Sequence, residues 1–308
     1  MRKIMLNGQW ELAEAGNDRL CEVQVPGSVL SGLYGAGKIE DPFYRTNEDV
    51  TRELFRKDYE FSRTFVAAED ILKEEKIILV CEGLDTLADI YINGQKAGSA
   101  DNMHRIWKLD VKEFLHSGEN QIRIVFRSVF KYIEAYEYED NKEIHYVPCG
   151  GMKGNQLIRK AHCMFGWDWG PQTIDAGIFR DIYLEAYSHP RIEDVKITQV
   201  HGDNAVDVCT TVAVSGDAVD KCQLRVTIQE DAESVCGHRT GANDRKTEAH
   251  VCKVWETVSA NNNPAVLTSS IHNPKLWWPN GYGKQPLYTL TIQLKAGETV
   301  LDTREYRI

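Results

Sequence analysis

The sequence predicts an all-β chain built as two β-sandwich domains, and three features carry that reading. Short β-type runs separated by turn signals dominate its 308 residues. One run, ADIYI (88–92), leads through Asn93-Gly94 into QKAG (95–98). An Asn-Gly pair between alternating segments is the strongest short hairpin signal, because both central residues of a type I′ turn need positive φ. The third feature is a break at Ser188-His189-Pro190, where a proline follows a completed run and a fresh set begins. The chain is too long for one ordinary sandwich and fits two domains, 1–188 and 189–308.

Before the break, KIILVC (76–81), RIWKLDV (105–111) and QIRIVF (121–126) read as strands, the last entered through a Gly118-Glu119-Asn120 turn. GIFRDIYLEAY (177–187) reads as one sandwich strand, alternating Ile178, Arg180, Ile182 and Leu184 beside Phe179 and Tyr183. Helical signals are few. PGSVLSGLYGAG (26–37) allows a short turn capped by Ser28, and VFKYIEAYEYED (129–140) reads as one amphipathic turn or two. Beyond the break come DVKITQV (194–200), AVDVCTTVAV (205–214), QLRVTIQE (223–230), HVCKVWETV (250–258), AVLTSSI (265–271) and PLYTLTIQL (286–294). Six runs at roughly regular spacing form the pattern of an immunoglobulin-like sandwich, here without the antibody-type arrangement of Cys and Trp.

Composition narrows the function classes. Hydrophobic residues make up 42% and charged residues 27%, an ordinary globular balance. With 36 basic against 46 acidic residues, the net charge of -10 argues against a nucleic-acid partner. No stretch approaches the ~18 apolar residues of a membrane helix, and MRKIMLNGQWEL has no signal-peptide apolar run. The eight cysteines are scattered, and several sit in apolar runs, as Cys81 does in KIILVC and Cys209 in VDVCTTVAV. They read as reduced core thiols of a cytoplasmic protein. His145, Cys149, His162 and Cys163 fit no standard zinc spacing, and CGGMKGN (149–155) lacks the Gly-Lys-Ser/Thr ending of a phosphate loop. No G-x-S-x-G elbow is present. Neither a metal nor a cofactor is expected.

One segment carries chemistry. In IRKAHCMFGWDWGPQ (158–172), Trp167 and Trp169 flank Asp168 in a loop bounded by Gly166 and Gly170-Pro171. A tryptophan ring offers a flat apolar face to the C–H face of a sugar, and a carboxylate accepts hydrogen bonds from adjacent hydroxyls. The competing reading is packing, with the tryptophans in the core and Asp168 capping a turn, and composition alone favours it.

GWDWGP preceded by IRKA and followed by GIFRDIYLEAY is similar to the β-mannosidases of glycoside hydrolase family 2. Other blocks agree in order: NGQWEL (7–12), VPGSV (25–29), DPFYRTNED (41–49) and EGLDTLADIYINGQKAG (82–98). PKLWWPNGYGKQPLYTL (274–290) resembles the end of that family's immunoglobulin-like domain. The resemblance implies a jelly-roll (galactose-binding-like) sandwich followed by the immunoglobulin-like one. In the family a (β/α)₈ barrel follows and carries both catalytic glutamates, and the sequence ends at TREYRI, about where the approach to that barrel would begin. A retaining glycosidase needs two carboxyls ~5–5.5 Å apart. No segment resembles either catalytic motif, so no catalytic residue is assigned and this chain alone is expected to be inactive. The acidic EAYEYEDNKE (134–143) reads as a solvated face.

The resemblance implies further that Asp168 hydrogen-bonds hydroxyls of the terminal sugar of a β-mannoside oligosaccharide, with Trp167 walling the pocket and Trp169 the weaker candidate. Arg159, Lys160 and His162 are given structural roles, as partners of Asp168 or of the barrel, and Trp277 and Trp278 packing roles at the domain junction. Two alternatives stay open: a free-standing carbohydrate-binding module, which predicts sugar affinity by this chain alone, and the same portion of a β-galactosidase or β-glucuronidase. Surface made to meet a barrel is also expected to favour self-association through the GWDWGP side.

Overall fold

The computed structural model describes residues 2–140, 151–216, 219–231, 251–257 and 263–308, the side chains of 137–140 and 251–257 excepted. The chain divides into two compact units, Met1–Ser188 and His189–Ile308.

The first unit is a jelly-roll sandwich. Its larger sheet has six strands in the order Arg19–Val25, Gly8–Glu14, Tyr59–Ala67, Gly118–Phe126, Ala88–Ile92 and Gln95–Ala100. The smaller has four, in the order Arg2–Met5, Ile182–Tyr187, Lys76–Cys81 and Trp107–Asp110. Alternation puts one face of each sheet inward. Leu12, Phe61, Ile90, Ile122 and Ile124 from the six-stranded sheet meet Ile77, Leu79, Ile182 and Leu184 from the other in one core. Each such side chain stabilises the fold by roughly 1.5–3 kcal/mol when fully buried. Asn93 and Gly94 turn the hairpin with φ of 50° and 80°, the left-handed pair a type I′ turn demands.

Two elements differ from the sequence reading. The 177–187 segment is not one strand. Gly177–Ile178 joins a small sheet with Gly27–Ser28 and Leu84–Asp85, and the chain then breaks before Ile182–Tyr187 enters the four-stranded sheet. There Ile182, Tyr183 and Leu184 are all buried, so the strand is covered on both faces and period-2 reasoning does not apply. Val129–Asp140 is a helix of 12 residues, longer than the one or two turns expected. Part of the acidic 134–143 stretch lies outside the described residues. Val29–Gly35 does form a helix, and Ser28 caps it in a reciprocal box with Ser31.

The second unit is an immunoglobulin-like sandwich. Arg191–His201, Ala205–Ser215 and Ala265–His272 form one sheet; Val251–Thr257, Gln223–Glu230, Tyr288–Ala296 and Thr299–Arg307 form the other. Val208, Val212, Leu224, Val226, Leu267, Leu290 and Ile292 fill its core. The last strand lies outside the six runs read from sequence, because charged residues interrupt it and its apolar ones are only partly buried, as Leu301 and Tyr306, or exposed, as Val300. Among the described residues no helix is long and apolar enough to cross a membrane.

Cys21, Cys81 and Cys222 are buried, Cys209 is half-buried and Cys163 is exposed, so the core reading does not extend to Cys163. Cys149, Cys236 and the Cys252 side chain lie outside the described residues. Burial pushes the Cys81 thiol up to about 12, leaving a thiolate fraction on the order of one in 10⁴ at pH 8. In the native chain iodoacetamide at pH 8 will modify Cys163 and spare Cys81, as read by peptide mass spectrometry. Equal labelling of the two would contradict the packing of Cys81.

Candidate functional site

The GWDWGP loop is anchored at both ends in the first unit's core. Phe165 before it and Ile174 after it are buried, and Phe165 O accepts from Met152 N at 2.8 Å. Gly166 closes the neck. Its φ is +83°, and a Cβ there would lie 2.4 Å from Gln172 Cγ, so only glycine fits. Trp167 and Gly170 then exchange backbone hydrogen bonds at 3.2 and 3.3 Å, which makes Asp168-Trp169 the tip of a tight turn.

A helix that sequence reasoning missed, Asn47–Leu54, fixes this turn from the side. Glu48 Oε2 accepts from Gln172 N at 3.0 Å, and Arg52 donates to Gln172 Oε1 while pairing with Asp49. Its signals were present: Glu48 and Asp49 in the first turn and Arg52 in the last suit the helix dipole. The segment leading into it is tied down as well. Asp41 Oδ1 accepts from Phe43 N at 2.9 Å, and Asp41 O accepts from Asn47 Nδ2 at 2.8 Å.

These two segments line an open depression of about 460 Å³, with Phe43, Arg45 and Glu48 on one and Trp167, Asp168 and Trp169 on the other. Trp167 is 40% exposed and Trp169 73%, which excludes the core-packing alternative for both. Their rings lie 6.4 Å apart and tilted by 35°, so the pair forms one apolar surface beside the carboxylate.

Lys160, eight residues before Asp168, is buried and does not reach that carboxylate. Its Nζ donates to Asp85 Oδ2 at 2.5 Å and to Asp175 O at 2.7 Å, and Asp85 also accepts from Thr86 Oγ1. Asp175 Oδ1 in turn accepts from Leu30 N at 3.1 Å and Ala176 N at 2.8 Å, at the start of helix Val29–Gly35. Burial pushes the Asp175 carboxyl up, against the lowering effect of those hydrogen bonds. The blocks at 25–29, 82–86, 158–161 and 172–178 thus converge on one buried network that supports the loop from below.

Arg159 and His162 are exposed. Arg159 O accepts from Met103 N at 3.0 Å. His145 and Cys149 lie outside the described residues, and no cluster suited to a metal ion occurs among those described. In the second unit Trp277 and Trp278 are half exposed, and with Ile271, Tyr288 and His201 they line an apolar groove of about 550 Å³.

An aromatic-flanked carboxylate on a rigid turn offers the apolar face and the hydrogen-bond acceptor that a sugar ring can use. Comparison with known families makes the class specific. Residues 10–180 match the family described as glycosyl hydrolase 2 galactose-binding domain-like, and residues 191–308 match glycosyl hydrolases family 2. The chain belongs to glycoside hydrolase family 2.

Among curated relatives it is similar to the β-mannosidase of Mus musculus, 28% identical over 93% of this chain and 32% of that protein. It is also similar to β-mannosidase B of Emericella nidulans, 29% identical over 96% of this chain and 33% of that protein. The chain spans about a third of the length of the curated relatives it matches. Among solved structures, β-D-mannosidase from Dictyoglomus thermophilum superimposes with a TM-score of 0.84 at 29% identity, over all of this chain and 36% of that one. A β-glucuronidase from Ruminococcus gnavus shares the fold, with a TM-score of 0.60 at 16% identity.

Proposed function

We propose that this chain supplies one wall of the terminal sugar subsite of a retaining exo-β-mannosidase. The observation that carries the proposal is the Trp167-Asp168-Trp169 turn. It is exposed, it is fixed by Gln172 to a neighbouring helix, and it lies in a chain similar to β-mannosidases over nearly its whole length. In this reading the ring of Trp167 covers a sugar face, with Trp169 beside it. Asp168 accepts hydrogen bonds from two sugar hydroxyls, and bonds to an ionised acceptor are the stronger kind. The nucleophile and the acid/base, ~5–5.5 Å apart in a retaining enzyme, come from a barrel following this portion. Binding groups alone cannot break the glycosidic bond, so the 308-residue chain is inactive by itself.

Similarity supports mannose over a uronic acid, since the likeness to β-mannosidases extends to sequence and that to β-glucuronidases only to the fold. Exposed Trp167, Trp169 and Phe43 give the isolated chain a surface for self-association, and a clean monomer by light scattering at high concentration would argue against that part.

The test is hydrolysis of chromogenic β-mannoside, β-galactoside and β-glucuronide by the purified chain and by a chain extended through the downstream reading frame. An inert short chain beside an extended one that cleaves the mannoside supports the reading. Turnover by the short chain, or preference of the extended one for the glucuronide, overturns it.

A further inference from the structure

Arg45 lines the same depression as Asp168 and has no role in the network that holds the loop. Its backbone sits at φ 53°, in the left-handed region that non-glycine residues rarely adopt and that clusters at functional sites. Nearby arginines are paired: Arg52 with Asp49, and Arg56 with Glu53 and Glu134. Among the described residues Arg45 has no carboxylate partner. Its guanidinium carbon lies 5.1 Å from the centroid of the neighbouring Tyr44 ring, a cation–π contact that consumes none of its N–H donors.

The chemistry of the pocket calls for such a group. Asp168 only accepts hydrogen bonds, whereas each sugar hydroxyl both donates and accepts. Once hydroxyls donate to Asp168, their oxygens and those of their neighbours need donors. Arg45 is the only cation among the described lining residues, and its planar fork spans two adjacent oxygens. The turn that carries it is locked to Asp41, and Glu48 three residues on holds Gln172, so Arg45 and Asp168 keep a common register.

We propose that Arg45 is a further substrate-binding residue, donating to hydroxyl oxygens of the same sugar ring whose hydroxyls donate to Asp168. The proposal rests on the reading of the 166–171 loop as a sugar wall. The test uses the extended chain with Arg45→Ala, Arg45→Lys and Asp168→Ala, assayed on an aryl β-mannoside and its monodeoxy analogues.

Arg45→Ala is expected to lower kcat/KM about 10- to 100-fold with an unchanged melting temperature, and Arg45→Lys to recover only part of it. The penalty should vanish on the analogue lacking the hydroxyl that Arg45 holds and persist on the others. Activity within twofold of the parent, with Asp168→Ala impaired, overturns the role of Arg45 and leaves the sugar wall standing. If Asp168→Ala and Arg45→Ala are both silent, the reading beneath falls with it. An equal loss on every analogue together with a lowered melting temperature means a structural role, and also overturns the proposal.

Discussion

Replacing Asp168 by alanine in the extended chain is expected to lower kcat/KM for an aryl β-mannoside by about 10²- to 10⁴-fold while leaving the melting temperature unchanged. Each hydrogen bond to an ionised group contributes about 1.5–3 kcal/mol, and an acceptor serving two hydroxyls loses both at once. Stability should not move, because Asp168 is exposed at a turn tip and has no ion pair among the described residues. The turn is held instead by the Trp167–Gly170 backbone pair and by Glu48 and Arg52 acting on Gln172. Steady-state kinetics and a thermal melt on one preparation check both halves. A twofold effect or less would remove Asp168 from the site, and a large fall in melting temperature would make it structural.

Lys160→Met is expected to do the reverse, destabilising the first unit by about 3–5 kcal/mol. The side chain is fully buried and Asp85 nearly so, and methionine fills similar volume while leaving the Asp85 carboxylate unpaired. Denaturant unfolding of the 308-residue chain measures this, with Lys160→Met/Asp85→Leu as the companion. Removing both charges leaves no uncompensated ion, so the double variant should recover much of the loss. A single variant as stable as the parent would mean that the Lys160–Asp85 pair contributes nothing. The pair also explains why 158–161 belongs with the loop: it pins the strand-like approach to the segment that Phe165 and Ile174 anchor.

Much of the architecture was legible because it depends on local signals. Asn93-Gly94 specified its hairpin by φ alone, Ser28 its helix by capping, and alternation in 121–126 its inward face. What escaped depends on partners distant in sequence. The 177–187 segment carries enough apolar residues for one strand, and the break at Phe179-Arg180-Asp181 shows only once Asn7 Nδ2 is seen donating to Asp181 at 2.8 Å. The helix Asn47–Leu54 buries only Thr51, so no apolar stripe announces it. In the site, the sequence singled out Trp167, Asp168 and Trp169 by residue type, and the structure brings them together with Phe43, Arg45 and Glu48. Those three lie more than a hundred residues earlier, and nothing in DPFYRTNED read alone points to the loop. The sequence suggests a structural role for Lys160, with Asp168 as one candidate partner. Its partner is Asp85, on a strand that local spacing cannot connect to it.

The most direct test of the sugar wall is a crystal structure of the extended chain with a mannose-configured inhibitor bound. An Asp168 carboxylate oxygen is expected within about 2.6–3.0 Å of a ring hydroxyl, with the Trp167 ring against the sugar. A sugar bound in the barrel with the 166–171 turn out of contact would contradict it.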